Sequence, residues 1–264
     1  MTENASTGVR VVSSDQWGPD LGLVHHGGWR EIVGAGLDAR CRGLYDICLD
    51  AGGTTVPLAH PGEAVYYVDQ GTVTVTERTA TGGIRHPLAA GAMIHVRPGS
   101  TYTICSEGGA RLVGGPSPLD PDLGRPPAAP GGRPGVRTFH RDRPGLRVPF
   151  ISKDARLVVW LGEGAVTANM NYVVLEPGER NKEHVHAFSE DTIHILRGRG
   201  TAENVSTGQR LAFGPGDTVH IEIGVWHAIA ADRGERVVSV GGPCPADTDM
   251  LRAVGIDVDA LTAR

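Results

Sequence analysis

From Leu44 onward the chain breaks into short runs rich in Val, Ile, Tyr and Thr, parted by Gly, Pro and Asp: YDICLDAGG, AVYYVDQGTVTVTE, AMIHVRPG and TYTICSE. Runs of this composition bounded by turn residues read as β-strands. The same order returns later as YVVLEPGE, DTIHILRGRGTAEN, DTVHIEIG and HAIAADRG. Gly71 and Gly198, and Gly91 and Gly216, mark the repeat at an interval of about 125 residues. The pattern predicts an all-β protein of two similar halves. LVVWLGEG and ANMNYVVLEPGE supply strands at the start of the second half, and the acidic start of PADTDMLRAVGID predicts a short helix from Asp247 to about Val254.

Between the halves lies PSPLDPDLGRPPAAPGGRPG, whose proline and glycine content excludes helix and central strand and reads as a linker. The chain divides accordingly into an N-terminal arm (1–40), a first half (41–115), the linker (116–136), a second half (137–246) and a tail with the short helix (247–264). The arm up to about Gly18 is polar and reads as loose or as a peripheral strand. TFHRDRPGLRVPFIS, just after the linker, has room to cross back onto the first half. His25 and His26 are neighbours and diverge on a strand, which suits a surface or subunit contact better than a shared ligand.

The 264 residues allow one large domain or two small ones, and 40% hydrophobic residues suffice for a core. A net charge of −5 without long charge runs argues against nucleic acid or an anionic membrane as partner. No apolar stretch approaches a membrane span, and the first residues show no signal-peptide pattern. Cys41, Cys48, Cys105 and Cys244 are scattered without a C-x-x-C pair, so reduced, mostly buried thiols in a cytoplasmic protein are expected. The 38 glycines and 18 prolines fit many tight turns.

Candidate chemistry concentrates in GERNKEHVHAFSEDTIHILRG, Gly178 to Gly198. His184 and His186 stand two apart, and residues i and i+2 of an extended segment share a face. Glu190 and Asp191 follow. Adjacent strand residues point to opposite faces, so one of the two carboxylates joins the histidines. Counting back from Gly198 favours Asp191; residue type favours Glu190. If Asp191 faces inward, Ile193 and Ile195 follow it and His194 turns out; if Glu190 does, His194 becomes a site residue. GDTVHIEIGVWHA, Gly216 to Ala228, supplies a third imidazole, His227. Imidazoles with a carboxylate are the donor set of a divalent transition metal.

The two stretches resemble the paired motifs of the cupin superfamily. Gly178, His184, His186 and Gly198 fall at the offsets of the first motif, and Gly216, Gly224 and His227 at those of the second; Glu222 stands at its proline position and Ala231 at its asparagine position. With the repeat, the resemblance implies a bicupin: two tandem jelly-roll barrels. The layout, including ANMNYVVLEPG before the metal motif and GGPCPAD in the tail, is also similar to that of ureidoglycine aminohydrolases, although the ligand spacing here follows the general cupin pattern. In the first half His60 corresponds to His186, but Leu58 replaces His184, Ala64 replaces Asp191 and Tyr102 replaces His227. Glu63 corresponds to Glu190. Too few ligands remain there for a tight metal site, and His60 is expected to be hydrogen-bonded inside its barrel.

The resemblance implies one divalent metal per chain, iron or manganese first, with nickel, zinc and copper also suited. Four protein ligands leave an octahedral ion two open positions, so the expectation is a metal-dependent enzyme on a small polar or aromatic metabolite. Oxygenase chemistry is favoured over a metallohydrolase, lyase or isomerase and over a non-catalytic ligand-binding cupin. Asn169, Asn171 and Tyr172 are candidates for substrate contacts, with His194 if Glu190 is the ligand. Trp226 is a candidate for the barrel mouth, and Glu222 for moving protons. Arg180 and Lys182 are loop charges. Barrel sheets leave surfaces to cover, so a homodimer is expected.

Overall fold

A computed structural model describes residues 8–125, 135–149 and 151–263. The first seven residues of the arm and 126–134 of the expected linker lie outside the described residues. Among the described residues, nine strands form through the segment just past the linker: β1 Val9–Val12, β2 Val24–Val33, β3 Leu44–Thr55, β4 Glu63–Thr79, β5 Gly82–Ala89, β6 Ala92–Val96, β7 Thr101–Cys105, β8 Ala110–Ser117 and β9 Val136–His140. Nine more follow: β10 Leu146–Arg147, β11 Asp154–Val159, β12 Met170–Leu175, β13 Glu190–Arg197, β14 Gly200–Asn204, β15 Gln209–Phe213, β16 Thr218–Ile221, β17 His227–Ala231 and β18 Val237–Cys244. Two short helices, α1 Thr248–Ala253 and α2 Val258–Thr262, close the chain. Asp247 caps α1 by accepting from Met250 N at 2.9 Å, at the helix start predicted from its acidic residues.

The strands make two barrels, the all-β architecture expected from the repeat. In the first, β2-β3-β7-β4-β6-β9 run side by side, with β5 on β4 and β8 between β3 and β4. In the second, the larger sheet is ordered β1-β16-β13-β18-β12-β11-β10 and faces the smaller β15-β14-β17. The barrels exchange strands. β1, from the N-terminal arm, pairs with β16 of the second barrel, while β9, just past the linker, pairs with β6 of the first. The peripheral strand and the cross-back segment are thus reciprocal. The expected linker begins inside a strand, because β8 runs through Pro116 and Ser117 opposite Ala64 and Glu63.

The repeat glycines mark close backbone approaches. A Cβ on Gly71 would lie 2.1 Å from Gly109 O, and one on Gly198 would lie 2.3 Å from Arg236 O. Both residues also have positive φ, +76° and +82°, so only glycine is unstrained in either place.

Strand alternation sorts side chains into separate cores. Trp29, Tyr45, Tyr66, Ile94 and Tyr102 fill the first barrel. Ile195, Phe213, Val219 and Ile229 fill the second. A third core lies between the barrels, joining Val65, Tyr67, Met93 and Val113 to Val159, Met170, Tyr172 and Val240. Each such fully buried side chain contributes about 1.5–3 kcal/mol, which binds the halves into one body. The tail packs Leu251 and Val258 on Ala155, Leu157 and Trp160. All four cysteines are free; Cys244 is buried as expected, whereas Cys48 is exposed. No helix among the described residues is long and apolar enough to cross a membrane.

Candidate metal centre

Three elements of the second barrel bring the candidate ligands together. His184 and His227 face each other across an isolated antiparallel bridge, exchanging His184 N to His227 O at 3.2 Å and His227 N to His184 O at 3.0 Å. His186 follows two residues after His184, and their rings stand edge to face with centroids 5.0 Å apart. Asp191, second residue of β13, is held between Ile221 of β16 and Pro243 of β18. One ligand atom from each of His184, His186, Asp191 and His227 lies within 4.8 Å of the others. Asp191 Oδ2 is 3.6 Å from both His186 Nε2 and His227 Nε2.

Each imidazole uses Nδ1 on an oxygen outside the cluster. His184 donates to Lys182 O at 2.8 Å, His227 to Val225 O at 2.9 Å and His186 to Asp247 Oδ2 at 2.6 Å. This fixes the ring orientations and turns all three Nε2 atoms inward. His186 Nε2, His227 Nε2 and Asp191 Oδ1 are buried without a hydrogen-bond partner. Buried polar atoms left unpaired are unfavourable. Their convergence fits a divalent cation, with three nitrogens and one oxygen as donors.

The electrostatics follow from this crowding. Burial pushes the His184 pKa down to about 4, helped by His227 and His186. For His186 burial acts downward too, but the Asp191 and Asp247 carboxylates outweigh it and hold it up at about 9. Burial works against ionisation of Asp191, yet His186 and His227 keep its carboxyl well below the usual carboxylate range. Asp247 is also lowered: its burial is outweighed by His186 and the Met250 N–H.

Beside the cluster lies a cavity of about 50 Å³, with His184, His186 and Asp191 in its wall. Leu157, Val173, Leu175, Ile193 and Ile229 make it mostly apolar; Asn171, Asn181 and Ser239 add polar groups, and Met250 of α1 also contributes.

The other candidates occupy different places. Glu190 faces away from the cluster and accepts from Arg40 N and Cys41 N at 2.9 and 3.0 Å. Asn171 lines the cavity, whereas Asn169 donates to Pro243 O at 3.2 Å and does not line it. Tyr172 belongs to the core between the barrels, with the guanidinium groups of Arg141 and Arg156 each 5.2 Å from its ring centroid. His194 also turns out of the barrel; it bonds Thr218 Oγ1 at 2.9 Å, and burial pushes its pKa down to about 3. Glu222 lies outside the cavity lining, 3.4 Å from Arg10. Trp226, outside the lining as well, is 47% exposed. Arg180 is engaged by Glu183 and Glu203.

Sequence reasoning missed Asp247. Its signal was present: GGPCPAD in the second half repeats GGPSPLD in the first, so Asp247 corresponds to Asp120. Asp120 Oδ2 lies 3.3 Å from His60 Nδ1, as Asp247 lies beside His186. In the first barrel, however, His60 Nε2 meets Tyr102 OH at 2.7 Å, and Tyr66 OH joins Tyr102 OH at 2.6 Å. Two phenols fill the space that ligands occupy in the second barrel.

Residues 171–240 match the cupin domain family. No curated protein sequence matches the chain significantly. Solved structures share the fold across both barrels at low identity. Lactobacillus farciminis oxalate decarboxylase, in a formate complex, aligns with TM-score 0.71 and 15% identity over 96% of this chain and 95% of its own. Bacillus subtilis oxalate decarboxylase, described with Mn(II) centres, aligns with TM-score 0.70 and 13% identity over 96% of this chain and 85% of its own. Hazelnut (Corylus avellana) vicilin aligns with TM-score 0.65 and 11% identity over 89% of this chain and 85% of its own.

Proposed function

We propose that this protein, a bicupin by fold, is a metal-dependent enzyme acting on a small molecule in its second barrel, with oxygenase chemistry as the reaction class. The observation that carries the reading is the set of inward-facing, buried and unpartnered ligand atoms on His186, His227 and Asp191, joined by His184. These four residues would hold one divalent ion per chain, and iron or manganese suits the donor set. Such an ion, when bound, supplies a Lewis acid and a redox centre at the cavity wall.

The chain's own residues supply the rest. Asp247 and the carbonyls of Lys182 and Val225 orient the imidazoles. The apolar wall around Leu157, Val173 and Ile193 excludes water, and Asn171 offers a polar contact to substrate. Among the described residues lining the cavity, no carboxylate, lysine or histidine stands apart from the proposed ligands. A hydrolase or lyase needs such a group to move protons, so oxygenase chemistry is placed first. A manganese-dependent lyase is the second reading, supported by the fold likeness to oxalate decarboxylases, one of them described with Mn(II) centres.

The test is metal content of protein purified without a tag or added metal, beside a His184→Ala, His186→Ala variant, followed by oxygen-electrode screening of small carboxylates. About one iron or manganese per chain, lost in the variant, with substrate-dependent oxygen uptake, supports the reading. Turnover without oxygen consumption moves the protein to the lyase class. Failure to hold any divalent metal, even on titration, overturns both.

A further inference from the structure

Asn171 Oδ1 is a buried acceptor for which the fold provides no donor. Asn171 is 6% exposed and lines the cavity with His184, His186 and Asp191. Close packing holds it there: a Cβ on Gly242 would lie 2.6 Å from Asn171 Nδ2. A buried acceptor beside a cavity calls for a donor on whatever fills that cavity.

Size and charge restrict the occupant further. The cavity of about 50 Å³ is well below the roughly 150 Å³ of an apolar cavity that accommodates benzene. An aromatic ring is therefore too large, and a ligand of a few heavy atoms fits. Asp191 is the only acidic side chain among the described lining residues, which include no Lys or Arg. Three neutral imidazoles, the Asp191 carboxylate and a divalent ion leave one net positive charge, which the buried Asp247 carboxylate on His186 Nδ1 already offsets. A monoanion therefore adds a single charge to the site, whereas a dianion adds two in apolar surroundings.

We propose that the second barrel takes a short-chain aliphatic hydroxy acid, its carboxylate toward the His184–His186–Asp191 wall and its hydroxyl donating to Asn171 Oδ1. This rests on the metal reading above, and Asn171 is then the specificity-determining residue.

The test uses protein loaded with cobalt(II), read by its visible spectrum and titrated with 2-hydroxypropanoate, propanoate, oxalate and benzoate. 2-Hydroxypropanoate should perturb the spectrum at concentrations about tenfold or more below propanoate, with oxalate and benzoate weaker still. Asn171→Leu should take up cobalt normally and lose the preference for the hydroxyl. A preference that survives Asn171→Leu, or none in the wild type, overturns the assignment of Asn171. Tighter binding of oxalate or benzoate overturns the charge or size assignment. Cobalt that fails to bind the wild type overturns the metal reading itself, an outcome visible before any acid is added.

Discussion

Glu63 and Glu190 occupy equivalent positions in the two halves, and each holds the backbone that leads into the other barrel. Glu190 accepts from Arg40 N and Cys41 N, just before β3. Glu63 accepts from Val166 N, Thr167 N and Ala168 N at 2.9, 2.6 and 2.8 Å, just before β12. The clasp is reciprocal, like the exchange of β1 and β9 across the same interface. It also explains why two adjacent acidic residues follow the H-x-H pair: Glu190 serves the interface and Asp191 faces the cluster.

Glu63→Gln should therefore destabilise the protein in a pH-dependent way. Burial raises the Glu63 pKa, but His95 and the three N–H groups outweigh it and lower it from 4.5 to about 2. A depressed carboxyl contributes stability that is present above pH 4.5 and lost as pH falls toward 2. Discounted for solvent screening, the contribution is on the order of 2 kcal/mol at pH 7. Urea denaturation should show that deficit in Glu63→Gln at pH 7 and less than half of it at pH 3. A gap that stays constant down to pH 3 would count against the clasp.

Asp247→Asn should weaken metal binding about 10–100-fold while the barrels remain folded, because an orienting partner of a ligand imidazole is typically worth that much. Asp247 also caps α1 through Met250 N, so the helix end loosens in the same variant. Thr248→Ala, which leaves both Asp247 contacts in place, should bind metal normally. Chelator competition followed by circular dichroism separates the two effects. Unchanged affinity in Asp247→Asn would remove its positioning role.

Metal binding should release close to one proton per ion at pH 7.5. In the metal-free protein His186 is held up at about 9 by Asp191 and Asp247, so its Nε2 carries a proton that a cation must displace. His184, pushed down to about 4, is already neutral. Apparent affinity should rise about tenfold per pH unit from 7 to 9 and then flatten. Calorimetry in buffers of different ionisation enthalpy counts the protons, and no release at pH 7.5 would contradict the charge state assigned to His186.

The repeat, the barrel pair and the four clustered residues were legible because they rest on local signals: turn glycines, alternation, and an H-x-H spacing that needs only an extended backbone. Tyr172 and His194 show where this reading stops. In a single barrel a strand's outer face meets solvent, so a buried polar residue points to the interior. Here the outer faces of β12 and β13 are buried as well, against the other barrel, and burial no longer tells inside from outside. Glu222 and Trp226 lie close to His227 in sequence but outside the cavity lining, since a turn sets their direction independently of the strand. Asp247 was obscured for another reason: its partner His186 is far away in sequence, and only the repeated G-G-P-x-P-x-D pattern betrays it.

The same correspondence predicts that a metal site can be restored in the first barrel. Leu58 and Tyr102 form an antiparallel bridge of the same kind as His184 and His227. Leu58 N donates to Tyr102 O at 2.8 Å and Tyr102 N to Leu58 O at 3.0 Å, so the backbone for two ligands is in place. His60 keeps its orienting carboxylate, Asp120. What blocks a cation is the side-chain set: the Tyr66 and Tyr102 phenols crowd His60 Nε2, and Ala64 offers no carboxylate. Leu58→His, Ala64→Asp, Tyr66→Ile and Tyr102→His together copy the second barrel, Tyr66→Ile reproducing Ile193. The quadruple variant should bind a second divalent ion per chain, more weakly than the first because the surrounding packing evolved around phenols. It should lose stability by several kcal/mol when metal-free and recover part of it on loading. Metal stoichiometry by mass spectrometry, in a background carrying His184→Ala and His186→Ala, reads the new site alone. A variant that folds yet takes up no ion would mean that backbone equivalence and an oriented His60 are insufficient, and that the second-barrel site depends on its own surroundings beyond the four ligands and Asp247.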